Sequence, residues 1–467
     1  MKSKIFFRLK NLSEIYCSQL HNLRCFSFCK INYYAEKYTL QLVPEVESEV
    51  DSGKIKHRRH PGARKRPPVV LPEKLIGAVR NLIPDEKVRY FKTAASELWS
   101  QLSSRRLPIE SDEIEQRLLK LYPHLRDGTF EELPDSIKKE EITQMRKKIH
   151  TELYRWRPIE YDENNCLAYL TARLAPNYAS ISQVFYEIKL QLGNFQPKTF
   201  FDFGSGVGSG VWAAYSEFED NIKEYFCVDA SPNMIDVAQT LLTDESTKKM
   251  FLKSIFFRQF LPASDTVKYD LVLSAFSLLE LPSAKDRLQV IDTLWRKTND
   301  LLVIIEYGNK AGFLSVLDAR DYILQVENHM SSHYPCYNSG AHVVAPCTHD
   351  LTCPRFEASD NTCGFIVSYQ TIFPDRYSPI DKKDWISYVV LRKGKRPKDE
   401  VSWPRIVKPV LARAKHAYCR MCCSDGKLRE VVVTKARHGR NAYRCARSSH
   451  LGDLLPAEIM TKTSDNR

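Results

Sequence analysis

Between about residues 70 and 190, apolar side chains recur three and four positions apart, the spacing that lines one face of an α-helix. LPEKLIGAVRNLI and SDEIEQRLLKLYPHL show this pattern. CLAYLTARLAPNYASISQVFYEIKLQL predicts two further helices separated at Pro176, which has no amide hydrogen and crowds the preceding turn. From about 198 the texture changes. KTFFDFG, EYFCVDA, YDLVLSAF and DLLVIIEYG are short, mostly apolar runs that read as buried strands, and PNMIDVAQTLLT and AKDRLQVIDTLWRKT between them keep the helical spacing. Strand and helix in alternation predict an α/β fold with a Rossmann-like, doubly wound parallel sheet. Beyond 310, IVSYQ, ISYVVLRKG and LREVVVTKA read as strands of a smaller lobe. The expected division is a leader over 1–35, a basic extended arm over 36–69, a helical domain over 70–190, the doubly wound domain over 191–330, a cysteine-rich β-containing lobe over 331–445 and a tail over 446–467.

Charge adds a partner and an address. The 467 residues carry a formal net charge of +12, a balance that concentrates polyanions and favours phosphate contacts. The stretch 54–68, KIKHRRHPGARKRPP, cannot bury a core and is expected as an exposed arm lying on RNA or as a solvated linker. The first 35 residues set Lys2, Lys4, Arg8, Lys10, Arg24 and Lys30 against the single acid Glu14, with Phe6, Phe7, Leu9, Leu12, Ile15 and Tyr16 as an apolar face. That composition predicts a mitochondrial transit peptide and delivery to the matrix. No run of eighteen apolar residues occurs, so membrane insertion is not expected.

The strongest local motif is FDFGSGVGSG, residues 201–210, after a strand and before the helix VWAAYSEF. An acid followed by G-x-G-x-G at a strand end is the S-adenosylmethionine (SAM) loop of class I methyltransferases, its glycines allowing a tight turn and close approach of the ligand. Gly204, Gly206 and Gly208 supply the loop and Asp202 is placed for the methionine amino group. Asp229, ending the next strand, is placed for the ribose hydroxyls. The acceptor side, YDLVLSAFSLLEL, offers Ser274, Ser277 and Glu280 but lacks both an N/D-P-P-Y/F motif and a Pro-Cys nucleophile. No catalytic acid, base or nucleophile is legible, so the expectation is a methyltransferase in fold with its activity left open.

Eight of thirteen cysteines fall between Cys336 and Cys445, a clustering that points to metal ligation in an intracellular chain. Cys347, Cys353 and Cys363 form one group, and Cys419, Cys422 and Cys423 another. Three thiolates from the first and one from the second would pin two remote segments together around zinc or an iron–sulfur cluster, which the spacing leaves open. His342 and His349 are further candidates, read first as loop residues.

The combination of AYLTARLAPNYASISQVFYEI, FDFGSGVGSGVWAA, IEYGNKAGF, GAHVVAPCTHDLTCP and ISYVVLRKG with CCSDG resembles the methyltransferase-like family of the mitochondrial ribosomal small subunit, over about residues 60–426. Asn309, where the family usually has Thr, and the long gap before Cys363 depart from it. The resemblance implies a 4Fe–4S cluster, with zinc the alternative, on Cys347, Cys353, Cys363 and one later cysteine. Cys423, just before the S-D-G turn, is taken as that fourth ligand, with Cys422 and Cys419 as alternatives. It further implies a matrix assembly factor needed for mitochondrial translation, binding small-subunit rRNA and meeting ribosomal proteins and other assembly factors. An active SAM-dependent rRNA methyltransferase is the alternative.

Overall fold

The structure, a computed structural model, describes residues 38–108, 111–122, 135–153, 158–244, 246–264, 266–333, 340–358, 362–374, 379–398 and 400–461. The expected transit peptide and Cys336 lie outside these residues. Among the described residues no helix is long and apolar enough to cross a membrane.

The chain enters through β1 (Tyr38–Leu42) and α1 (Pro44–Asp51), then runs through α2 (Glu73–Leu82), α3 (Val88–Ser103), α4 (Ser111–Leu121) and α5 (Asp135–Leu153) into the long α6 (Glu163–Gln191). The alternating region follows: β2 (Thr199–Phe203), α7 (Ser209–Phe218), β3 (Glu224–Val228), α8 (Pro232–Leu242), β4 (Ile255–Arg258), β5 (Tyr269–Ala275), α9 (Ala284–Lys297), β6 (Thr298–Tyr307) and α10 (Lys310–His333). After these come β7 (Ala341–Ala345), α11 (Pro354–Glu357), β8 (Phe365–Gln370) and β9 (Asp381–Lys393). The short β10 (Arg405–Ile406) and β11 (Leu411–Ala412) then lead to β12 (His416–Cys422), β13 (Leu428–Thr434), α12 (Lys435–Ser448) and β14 (Ala457–Thr461).

The main sheet has the order β4-β3-β2-β5-β6-β9-β7, with β8 on the far end of β9. β4, β3, β2, β5 and β6 pair in parallel, while β9 runs antiparallel to β6 and to β7. A parallel sheet that reverses direction of growth between β2 and β5, with one antiparallel strand inserted near the edge, has the class I methyltransferase topology. Its ligand crevice lies beyond the carboxyl ends of the strands at the switch point. The central strands are apolar because both faces are covered: Leu271, Val272, Leu273 and Leu301–Ile305 are buried without exception. Helices α6 and α7 cover one face, and α9 and α10 the other.

Three expectations need correction. Pro176 does not separate a pair of helices; it lies inside α6, most of whose middle is buried against the sheet. A proline costs a helix interior about 3 kcal/mol, and packing on this scale outweighs it. The helices of 70–190 form no domain of their own, because α2, α3 and α6 share one core cluster with the sheet. ISYVVLRKG belongs to the main sheet within β9, which therefore extends to Lys393, well past the expected boundary at 330.

The arm and tail are also not free. β1 pairs antiparallel with β14, and His60 and Arg64 are buried at 2% and 6% exposure. Asp453 accepts from the Arg64 backbone N–H at 2.7 Å, and Leu454 donates to the Gly62 carbonyl at 2.8 Å. The basic residues of the stretch therefore divide, some inward to fixed partners and others outward. β1, the small sheet β10–β13, α12 and β14 enclose a separate core around Ile406, Met421, Val431 and Tyr443.

Candidate cofactor crevice and cysteine site

β2 ends at Phe203, and Gly204, Gly206 and Gly208 all take positive φ, 69°, 51° and 85°. A side chain at Gly204 would place its Cβ 2.4 Å from that of Ser277, so glycine is required there by space as well as by backbone. Asp202 is 2% exposed and its Oδ2 has no hydrogen-bond partner. Burial, and then the neighbouring Asp229, push its carboxyl up to about 8. Asp229 is held differently: Oδ2 accepts from the Gly206 N–H at 2.7 Å and Oδ1 from the Ser231 N–H at 2.9 Å. Burial still raises its pKa despite those bonds.

Tyr169, Asn177 and Ile181 of α6 stand over the loop, with Phe276 on the other side, and the cavity these residues line is about 20 Å³, room for one water. The segment before α6 forms a strap across the mouth: the Tyr161 carbonyl accepts from Asn233 Nδ2 at 2.9 Å and Ser231 Oγ at 3.3 Å. Tyr161 Oη reaches Glu280, which also pairs with buried Arg105 at 2.6 Å.

On the acceptor side the sequence candidates are turned to structural use. Ser274 and Ser277 bond each other at 2.8 Å, Ser277 also donates to the Phe203 carbonyl, and Glu280 is engaged by Arg105 and Tyr161. Phe276, at φ 57°, packs its ring 5.0 Å from that of Tyr307. Beneath lies Arg173, its guanidinium 4.4 Å from the Trp99 ring centroid and bonded to Asp384 at 2.8 Å and Asn177 at 2.7 Å. The sequence reading named neither Arg173 nor Trp99. The one available signal was an arginine within the apolar face of CLAYLTARLAPNYA.

The cysteines converge from three elements. Cys347 and Cys353 flank the loop after β7, and Cys363 precedes β8. Cys353, together with Cys363, packs against Phe313 and Leu317 of α10. Arg320, also of α10, anchors the loop by donating to the carbonyls of His349 and Leu351. Burial, and then the Cys347 thiol, push Cys353 up to about 11.

Of the later cysteines it is Cys422, named as an alternative to Cys423, that lies within electrostatic reach of Cys347, Cys353 and Cys363. Burial raises the Cys422 thiol, and Cys347, Cys363 and Cys353 raise it further, so it shares their surroundings. His349 Nε2 stands 3.3 Å from its sulfur. Cys423 instead faces Arg429 and Asp425, and with Cys419 it belongs to the small core. The cause is strand alternation. Ala417, Cys419, Met421 and Cys423 share one side of β12 and its extension, and Cys422 takes the other. His342 is not the loop residue expected: it lies inside β7, 3% exposed, with Nδ1 2.8 Å from the Gly394 carbonyl. Among the described residues no three His, Cys, Asp or Glu side chains are drawn together tightly enough to hold a single metal ion.

Comparison with known proteins now identifies the lineage. Over 423 residues the chain is 40% identical to the human ribosome assembly protein METTL17, mitochondrial, spanning 89% of this chain and 90% of that one. Rsm22-cox11 tandem protein 2, mitochondrial, of Schizosaccharomyces pombe is 29% identical over 348 residues, 62% of this chain and 43% of that one. Among solved structures, the magnesium protoporphyrin IX methyltransferase of Synechocystis PCC 6803 with bound SAM is 12% identical, covers 56% of this chain and 97% of that one, and superposes with a TM-score of 0.29. The family model described as mitochondrial small ribosomal subunit Rsm22 matches residues 163–456, and the chain belongs to that family.

Proposed function

We propose that this chain is an assembly factor of the mitochondrial small ribosomal subunit, a methyltransferase-shaped scaffold that binds small-subunit rRNA in the matrix and is needed for mitochondrial translation. The observation that carries the reading is the 40% identity, along 89% of the chain, to a relative named as a ribosome assembly protein. The net charge of +12 suits an RNA partner. The Asp229 carboxylate engaged by the loop itself, the internally paired Ser274, Ser277 and Glu280 and the small cavity beside the loop favour a scaffold over a methyl-transfer enzyme.

A second reading, an active SAM-dependent rRNA methyltransferase, draws on the loop's polar groups. Asp202, with an unpartnered buried oxygen, would meet an amino group; Gly204, Gly206 and Gly208 give the backbone its turn; and Asp229 would take the ribose hydroxyls. The donor set fits SAM, whose entry would lift the Tyr161 strap from Ser231 and Asn233. When bound, SAM supplies an electrophilic methyl group. Cells lacking the chain are expected to lose mature small subunits on sucrose gradients, and the Asp202→Asn variant is expected to restore them. If that variant fails while the wild type incorporates labelled methyl groups into rRNA, the enzymatic reading replaces the scaffold.

The proposal also includes a 4Fe–4S cluster on Cys347, Cys353, Cys363 and Cys422. Four thiols with Arg320 and Arg405 beside them form a donor set whose anionic charge has compensation close by. Cys347, Cys353 and Cys363 stand within electrostatic reach of Cys422, and bound sulfide is what distinguishes a cluster from zinc on these thiols. When bound, the cluster supplies a rigid covalent link between the main sheet and the small C-terminal unit. Anaerobically purified protein should contain iron and acid-labile sulfide; zinc without sulfide would refute the cluster.

A further inference from the structure

α12 has two unlike sides. Ala442, Tyr443, Cys445 and Ala446 are sunk in the small core. Between Lys435 and Arg447 the opposite side carries Lys435, Arg437, Arg440, Arg444 and Arg447, and the segment holds no carboxylate. After Gly439, Arg440, Arg444 and Arg447 follow one another at intervals of four and three, so neighbours stand about 5–6 Å apart along one line, and Arg437 precedes the break. Gly439, at φ 81° and ψ 168°, breaks the helical backbone between Arg437 and Arg440.

Two other segments broaden this line into a face. The turn Lys56–Arg59 packs beside α12, where Ser448 Oγ donates to the His57 carbonyl at 3.1 Å. Burial, and then Arg444 and Arg58, hold the His57 pKa below its ordinary value, which places guanidinium groups of both segments around one ring. On the other flank Arg447 donates to the Arg413 carbonyl, and Tyr443 Oη to that of Ala414 at 3.3 Å. Arg58, Arg59, Arg413, Lys415, Arg437 and Arg440 are exposed, and none of them has an ion-pair partner among the described residues. The acids of α1 run beside the middle of α12: Asp51 accepts from Asn441 at 2.6 Å, and Glu47 lies close to Gly439.

We propose that this face, α12 with the turn Lys56–Arg59 and the Arg413–Lys415 loop, is the surface on which the chain seats the phosphate backbone of double-stranded RNA. This rests on the small-subunit rRNA reading above and names the region of the protein that does the binding. Arginine dominates, and its planar fork matches phosphate oxygens in pairs. The outer side of α12 has no exposed aromatic residue, since Tyr443 is 5% exposed, so it offers no platform on which unpaired bases could stack. It has no exposed large apolar residue to sink into lipid, because the helix's apolar side is already covered by protein. What remains is a rigid row of cations that reads backbone shape and charge.

The test uses the full chain and three probes: a blunt RNA duplex of two helical turns, a single strand of the same length, and phosphatidylcholine vesicles containing phosphatidylserine. Arg437→Glu with Arg440→Glu should weaken duplex binding roughly tenfold or more and lower the slope of log affinity against log salt by about 2. Arg437→Lys with Arg440→Lys should keep most of the binding. Lys249→Glu with Lys253→Glu, a remote exposed pair, should change little. An unchanged thermal melt identifies the loss as one of contact. The proposal is overturned if the first pair leaves affinity and slope intact, if the remote pair weakens binding equally, if the single strand binds as well as the duplex, or if only the vesicles bind. Wild-type protein that cosediments with assembling small subunits while the first pair has no effect on duplex binding would remove this surface and leave the assembly reading. Duplex binding through this face by a chain that never meets the subunit would do the reverse.

Discussion

Asp202 is a carboxyl group fully buried with one oxygen unanswered, and its chemistry is a question of protons. Folding moves its pKa from an ordinary 3.8 up to about 8. Between those values the folded chain holds a proton that the unfolded chain releases. Its contribution is therefore fully present below about 3.8 and is lost as pH rises toward 8. Asp202→Asn keeps the shape and removes the titration. It should leave the melting temperature near wild type at pH 4 and raise stability by on the order of a few kcal/mol at pH 8, seen in denaturant titrations at the two pH values. A variant no more stable at pH 8 would mean the carboxylate finds a partner or a solvent path. At this scale the glycine loop was legible in the sequence because its meaning is local: an acid, three glycines and a strand end lie within a few residues. The fourth cysteine was not legible. Whether Cys422 or Cys423 turns toward Cys347 depends on the register of β12, and a slip of one position exchanges the two faces.

α6 shows what the element scale adds. Apolar spacing identified its helical character, while the break expected at Pro176 depended on tertiary packing, which spacing does not report. The same helix carries Glu187, which ties the main domain to the small unit. Tyr388 and Arg405 both donate to its carboxylate, and Arg64 stands 3.8 Å away. Burial works against ionisation there, but Arg405 and Arg64 outweigh it and hold Glu187 below the usual carboxylate range. Glu187→Gln leaves the guanidinium of Arg405, itself 2% exposed, without its counter-charge. Removing one member of a buried pair costs about 3–5 kcal/mol, so the variant should melt markedly earlier at neutral pH. Because the depressed pKa contributes stability above 4.5 that fades as pH falls, the deficit should narrow in acid. An equal deficit at pH 3 and pH 7 would indicate lost packing instead of lost charge. The pairing was hidden in sequence by distance, a separation of 218 positions from Glu187 to Arg405.

At the scale of the whole molecule, the small C-terminal unit is joined to the main sheet in several ways, and the proposed cysteine site would be only one of them. β1 and β14 close its own core, Glu187 clamps Arg405, and the Gly62–Leu454 bond fixes the entering chain. Loss of the cluster should therefore loosen this unit without unfolding the sheet. Cys422→Ser removes a sulfur facing Cys347, Cys353 and Cys363, whereas Cys423→Ser alters a residue facing Arg429 and Asp425. The first variant should emerge from anaerobic purification without its iron and sulfide, and amide exchange should rise selectively in β12, β13 and α12 while β2, β5 and β6 stay protected. The second should keep both iron and protection. These measurements separate ligation from simple core damage, since Cys423 lies within the small core and Cys422 does not. Iron retained by Cys422→Ser and lost by Cys423→Ser would reverse the assignment and require β12 to pair with β13 in a different register from the one seen, where Cys422 lies opposite Leu428.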